Sequence, residues 1–148
     1  AWDNKHILNL TARRAFKNNW DAGLKWRYVG GSPYTPYDIE KSEQKQYWNL
    51  QNEPYLDYDR YNQLRLSGFH QLDIRIDKTY FFDKWTLGLY LDIQNLYNFS
   101  AESQDILTNL DEEGNPNVDP DNPDEYDLRR INDESGTVLP SIGITVEF

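Results

Sequence analysis

WTLGLYLDIQ, residues 85–94, sets Trp85, Leu87, Leu89, Leu91 and Ile93 against Thr86, Gly88, Tyr90, Asp92 and Gln94. Successive side chains of a strand point to opposite faces, so this stretch reads as a strand with one apolar and one polar face. Four further stretches repeat the pattern. Leu8, Leu10, Ala12 and Phe16 alternate with Asn9, Thr11 and Arg13, with Arg14 as the exception. Trp20, Ala22, Leu24, Trp26 and Tyr28 alternate with Asp21, Gly23, Lys25 and Arg27. Leu72, Ile74, Ile76 and Tyr80 alternate with Asp73, Arg75, Asp77 and Thr79, and Lys78 interrupts the apolar side. Val138, Ile142, Ile144, Val146 and Phe148 stand opposite Thr137, Ser141, Gly143, Thr145 and Glu147. The expectation is an all-β, antiparallel fold with strands over about residues 5–16, 20–30, 69–82, 85–98 and 137–148.

A soluble sandwich would alternate in the same way, but three features favour a segment of a transmembrane β-barrel. The runs approach the roughly 9–11 residues that cross a bilayer when tilted, against about 5–6 for an average soluble strand. The connections alternate in length: Lys17-Asn18-Asn19 and Asp83-Lys84 are tight, whereas residues 31–66 and 100–136 are long. Following the chain places both short turns at one end and both long loops at the other, as in outer-membrane barrels with extracellular loops. Aromatic residues then gather at the two ends. Phe16, Trp20, Phe81, Phe82, Trp85 and Phe148 lie at the short-turn end, and Tyr28, Tyr97 and Phe99 at the other. Two such belts are expected at two membrane interfaces.

The composition fits that setting. The 148 residues carry 38% hydrophobic and 15% aromatic residues, with 5 Trp and 11 Tyr. Such a chain suits interfaces that are apolar on one side and wet on the other. The net charge of −10 resides between Glu102 and Glu134, where 12 Asp and Glu stand against two Arg. That segment also holds Pro116, Pro120 and Pro123, and is expected to be a solvated loop. With no basic patch to neutralise phosphates, nucleic acid is a poor partner. The absence of Cys removes disulfides, thiolate metal sites and a cysteine nucleophile. The chain opens at Ala1 without a charged-then-apolar leader, so either a leader has been removed or the chain is part of a longer polypeptide.

The segments RYVGGSPYTPYD (Arg27–Asp38), YNQLRLSGFHQLDIRIDKTYFF (Tyr61–Phe82), KWTLGLYLDIQNLYNF (Lys84–Phe99) and LPSIGITVEF (Leu139–Phe148) carry a resemblance to a known family. Together they resemble the C-terminal end of TonB-dependent outer-membrane receptors, particularly those of Bacteroidota, and DIQNLYN is the most specific piece. Ile142, Ile144, Val146 and the terminal Phe148 look like the signal recognised by barrel-assembly machinery. The resemblance implies the last five strands of a 22-strand barrel with an N-terminal plug. It further implies residence in the outer membrane of a Gram-negative bacterium. The function it implies is active import of a bulky nutrient: a siderophore, cobalamin, a glycan or a peptide. The implied partners are the remaining barrel and plug, in the same or another chain, TonB acting through the plug, outer-membrane lipid, and a surface lipoprotein as a lid. The competing expectation is a barrel that no longer transports and serves as a scaffold for surface or secretion proteins. The first and last strands run the same way, so five strands cannot close on themselves antiparallel. Strand edges left open are not tolerated in lipid.

Three groups of residues could carry chemistry. On the polar face, Lys25, Arg27, Asp73, Arg75, Asp77 and Asp92 could face a plug or line a wet lumen, or simply pair with one another across strands. In the first long loop, Tyr34, Tyr37, Tyr47, Trp48, Tyr55 and Tyr58 could stack on a captured ligand, or form the loop's own small core. The acidic stretch LDEEGNPNVDPDNPDEYD, residues 110–127, could bind Ca²⁺ but lacks EF-hand spacing, and no metal or cofactor is expected. Asp111-Glu112-Glu113-Gly114-Asn115 has the composition of a hairpin tip. His6 and His70 have no neighbouring nucleophile at triad spacing, so no catalytic residue is expected.

Overall fold

The computed structural model describes residues 3–148. Five long strands form one antiparallel sheet in sequence order: β1 (Ile7–Phe16), β2 (Trp20–Val29), β3 (Phe69–Phe81), β4 (Thr86–Gln94) and β5 (Leu139–Glu147). Each pairs with its sequence neighbour, and β1 and β5 remain as the two edges. The register aligns the apolar positions of all five. Leu10 pairs with Trp26, Trp26 with Leu72, Ile76 with Leu91, and Leu91 with Ile142. Directly opposed residues share a face, and a one-residue slip on any strand would reverse its pattern. One face is therefore apolar from Leu8 to Val146 apart from Arg14, His70 and Lys78, and the other carries most of the charged and small residues.

The tight turns are built as the side chains require. Asn18 and Asn19 hold φ of 61° and 57° between Phe16 and its partner Trp20, a region that Asn tolerates better than most residues. At the second turn the Phe82 N–H donates to the Trp85 carbonyl at 2.9 Å, and the two rings stack with centroids 4.2 Å apart. At the opposite end β4 stops at Gln94, short of the expected Asn98. Asn95 and Asn98 take φ of 52° and 53°, which breaks the ladder and turns the chain. Asn95 is buried and fully used. Its side-chain NH₂ donates to the carbonyls of Phe99 (2.9 Å) and Thr137 (3.2 Å), and its Oδ1 accepts from the Phe99 N–H at 2.8 Å.

The chain divides into two compact units. One is the sheet with its turns. The other comprises residues 1–3, 32–66 and 102–134, the bulk of both long connections, of which residues 3, 32–66 and 102–134 are described. This second unit departs from the all-β expectation with two short helices, α1 (Ile39–Glu43) and α2 (Lys45–Gln51). Asp38 caps α1 by accepting from the Lys41 N–H at 3.1 Å, and Asn52 ends α2 with φ of 55°. The buried Ser42 hydroxyl donates to the Asp38 carbonyl at 2.6 Å and accepts from the Tyr55 N–H at 2.9 Å.

The acidic connection is solvated only in part. Its tip is the hairpin turn anticipated from composition, with Gly114 at φ +85°. The Asp111 carboxylate accepts from the N–H groups of Asn115 (2.7 Å) and Glu113 (3.0 Å), and the first of these does most to hold its pKa below the usual range. The stem, by contrast, packs. Tyr126 donates its backbone N–H to the Glu43 carbonyl at 2.8 Å and its hydroxyl to Asn49 Oδ1 at 3.0 Å, and it meets the Trp48 indole edge to face. Besides Pro33 and Pro36, the buried apolar residues among those described are Trp48, Leu107 and Tyr126, exposed by 4%, 4% and 8%. All three belong to this second unit.

Candidate functional site

The polar face of the sheet is the first candidate. Lys25, Arg27, Asp73, Arg75, Asp77 and Asp92 all lie on it, as alternation requires. The charges are largely paired. Arg75 grips Asp77 through Nε (3.1 and 3.0 Å) and Nη2 (2.8 Å), while its guanidinium lies 4.1 Å from the Tyr90 ring centre. Arg13 reaches Asp21 across the first hairpin at 3.2 Å. Lys25 stands directly opposite Asp73, and Asp92 directly opposite Arg75. Arg27 donates to Gln71 Oε1 at 2.9 Å and lies 3.9 Å from Asp73, yet its buried Nε has no partner. A buried donor left unmatched costs free energy, so this corner has an unused valence for an acceptor.

Gly143 completes this face. A Cβ there would meet the Tyr90 ring well inside van der Waals contact, so glycine alone lets Tyr90 lie across β5. The apolar face has three polar exceptions: His70, level with Tyr28 and 2.7 Å from the Tyr97 hydroxyl, lies at the far end, and Arg14 and Lys78 lie near the short turns. Lys78 sits level with Trp20, bonds the Asn18 carbonyl, and passes 5.2 Å from the Trp20 ring. Arg14 lies 5.3 Å from the Phe16 ring. Long basic side chains thus lay apolar stems on the sheet and carry their charge to its end. Ile142, Ile144, Val146 and Phe148 follow the same apolar parity on an edge strand, and Ile142 is 81% exposed.

A cavity of about 250 Å³ within the second unit is the other candidate. Its walls are positioned by short antiparallel pairings. Pro33-Tyr34 pairs with Leu64-Arg65, Tyr37 bridges Leu56, and Ile106–Thr108 pairs with Arg129–Ile131. Thr35, buried behind the wall, accepts from Gln104 Nε2 at its carbonyl (3.0 Å) and from the Asn62 N–H at its hydroxyl (3.0 Å). Tyr34 and Tyr37 line the cavity, with Ile39 and Leu64 as apolar surface and Asp105 and Arg130 as opposite charges. Burial and the nearby Asp105 carboxylate push the Tyr37 phenol pKa up, against a smaller opposing pull from Arg130.

The remaining loop aromatics go elsewhere. Tyr47 and Tyr55 meet edge to face under the Lys41 ammonium, which lies 4.2 Å from the Tyr55 ring centre. Trp48 is core. Tyr58 stacks on Tyr61 in the open, beside a turn capped by Asp57, whose carboxylate binds Arg60 Nε at 2.6 Å. That bond holds the Asp57 pKa down. Sequence reasoning passed over Asp105, Arg130, Gln71 and Asn95. Asp105 precedes, and Arg130 lies within, strands of three residues, too short for a period to show, while Asn95 was visible only as part of a motif. Among the described residues no cluster of His, Cys, Asp and Glu could hold a metal ion. No protein-family model, curated protein or solved structure matches this chain.

Proposed function

We propose that this chain is part of the wall and outer loops of an outer-membrane β-barrel that imports a bulky nutrient, of the TonB-dependent kind. The observation that carries the reading is the apolar face shared by all five strands. Five strands of 9–13 residues align it in register, and none of its side chains is buried. Ten residues at about 3.3 Å each, tilted by about 45°, rise about 23 Å, close to the apolar band of an outer-membrane barrel. Lipid is the covering this face fits. Its side chains are exposed across all five strands, and its basic exceptions sit near its edge, where a charge costs about 0–1 kcal/mol rather than about 2–4 at mid-depth.

The unpaired edges of β1 and β5 favour further strands on both sides, as a 22-strand barrel would supply. The mixed-charge face then lines the lumen. There the orphan Arg27 Nε offers a contact for a plug, through which TonB would act. The long connections become the outer surface where a nutrient is captured. The test is fractionation of the protein in its native host. Resistance to carbonate extraction in the outer-membrane fraction, with heat-modifiable migration on a gel, is expected. Recovery in the soluble fraction would overturn the barrel. Loss of nutrient-dependent growth on deleting this chain, reproduced by deleting TonB, separates transport from a scaffold role.

A further inference from the structure

The cavity in the second unit has a charge arrangement that selects a ligand class. Asp105 and Arg130 both line it, and neither side chain makes a hydrogen bond or ion pair with another described residue or with its opposite number. The Tyr37 hydroxyl lies in the field of both. Two opposite charges that share one small cavity without closing on each other leave one acceptor and one donor site open. The other charged residues of the wall are engaged: Arg60 is held by Asp57, and Glu102 has interactions of its own. Ile39 and Leu64 supply an apolar surface beside them.

From this juxtaposition we infer that the cavity binds a zwitterion: a free amino acid or the end of a short peptide. Its ammonium would be set against Asp105, its carboxylate against Arg130, and its side chain on Ile39 and Leu64. A neutral sugar would leave both charges unmatched in a half-enclosed site, and sites built for charged or polar partners discriminate strongly against ligands that lack them. A polyanion would meet Asp105. At about 250 Å³ the cavity is just below the usual range of small-ligand pockets, which suits one residue or a terminal group rather than a whole bulky nutrient. This rests on the long connections being ligand-facing, and does not require the sheet to sit in a barrel.

The experiment is titration calorimetry on the full-length protein in detergent. The probes are leucine and the dipeptide alanyl-alanine, with N-acetyl-leucinamide and glucose as the uncharged counterparts. Saturable binding of leucine or the dipeptide is expected, with the uncharged probes at least about tenfold weaker. Asp105→Asn and Arg130→Gln should each weaken it by about tenfold or more, the scale of a lost charge-assisted hydrogen bond. Equal affinity for leucine and N-acetyl-leucinamide, no saturable binding of either zwitterion, or unchanged affinity in both variants would overturn the proposal. Heat-modifiable migration of the same samples reports the barrel separately. A heat-modifiable protein without zwitterion binding refutes the ligand class alone, and a binding protein without heat-modifiability refutes the barrel alone.

Discussion

The two units of this chain solve the problem of apolar surface in opposite ways. The residues 32–66 and 102–134 enclose Trp48, Leu107 and Tyr126 and satisfy their own polar groups around them. The five-stranded sheet, although longer in every element, has no buried apolar side chain at all. Its hydrogen bonds run along the ladder and its one buried side chain is the amide of Asn95. A unit with a core can hold its shape by itself. A sheet with one open apolar face takes its stability from whatever covers that face, because burying a single large apolar side chain is worth about 1.5–3 kcal/mol.

The largest expected effect is confined to the unit with the core. Trp48→Ala should cost about 3–5 kcal/mol. It should make residues 32–66 and 102–134 sensitive to limited proteolysis and leave heat-modifiable migration intact. Loss of both together would mean that the two units are not energetically separate. Next, a charge at the middle of the apolar face should act only through the covering medium. Ile74→Arg, level with Leu24 and Ile93, is expected to cost about 2–4 kcal/mol in a membrane and to reduce the assembled protein in the outer-membrane fraction, whereas Lys78→Leu should be near neutral. Equal tolerance of both substitutions would remove lipid as the cover.

A smaller effect tests the polar face. Gly143→Ala should cost about 1–3 kcal/mol by forcing the Tyr90 ring aside, and the penalty should shrink when Tyr90→Ala is added. Denaturant unfolding of the four proteins in the cycle measures it. The smallest concerns Glu43, whose carboxyl pKa is raised by partial burial first and then by the neighbouring Glu125, Asp119, Glu40 and Asp127. A raised acid pKa means the folded state holds its proton more tightly. Glu43 should therefore add slightly to the stability of the second unit as pH falls from neutrality, above the more acidic range in which the lowered Asp57 and Asp111 act in the opposite sense. Glu43→Gln should remove that slope at a cost or gain within about 0.5 kcal/mol. Thermal unfolding of the second unit between pH 7 and 5 would show it.

The same contrast explains what could be read from residues alone. The sheet was legible because period-two alternation is local: Trp85 to Ile93 announce a strand and a face without knowledge of any partner. Even Arg14 and Lys78, which spoil the count, fall where a long basic stem can reach the sheet's end. The early stop of β4 was hidden because it depends on Asn95 bonding Thr137, 42 positions away. The second unit was scarcely legible for the same reason. Its core joins Trp48 to Tyr126, and its cavity sets Tyr37 beside Asp105 and Arg130, all through pairings of two or three residues. Aromatic richness in residues 31–66 announced a small core or a ligand surface; Trp48 enters the core, and Tyr34 and Tyr37 line a cavity.

The most direct test uses the absence of cysteine from this chain. Single cysteines at Leu87, Leu89, Leu91 and Ile93, and at Thr86, Tyr90, Asp92 and Gln94, would each carry a spin label in the protein reconstituted in bilayers. Collision with dissolved oxygen should dominate at the first set, deepest at Leu91 and Ile93, and collision with a water-soluble nickel chelate at the second, alternating with a period of two. Chelate access at both sets alike would contradict a sheet with lipid on one face and water on the other.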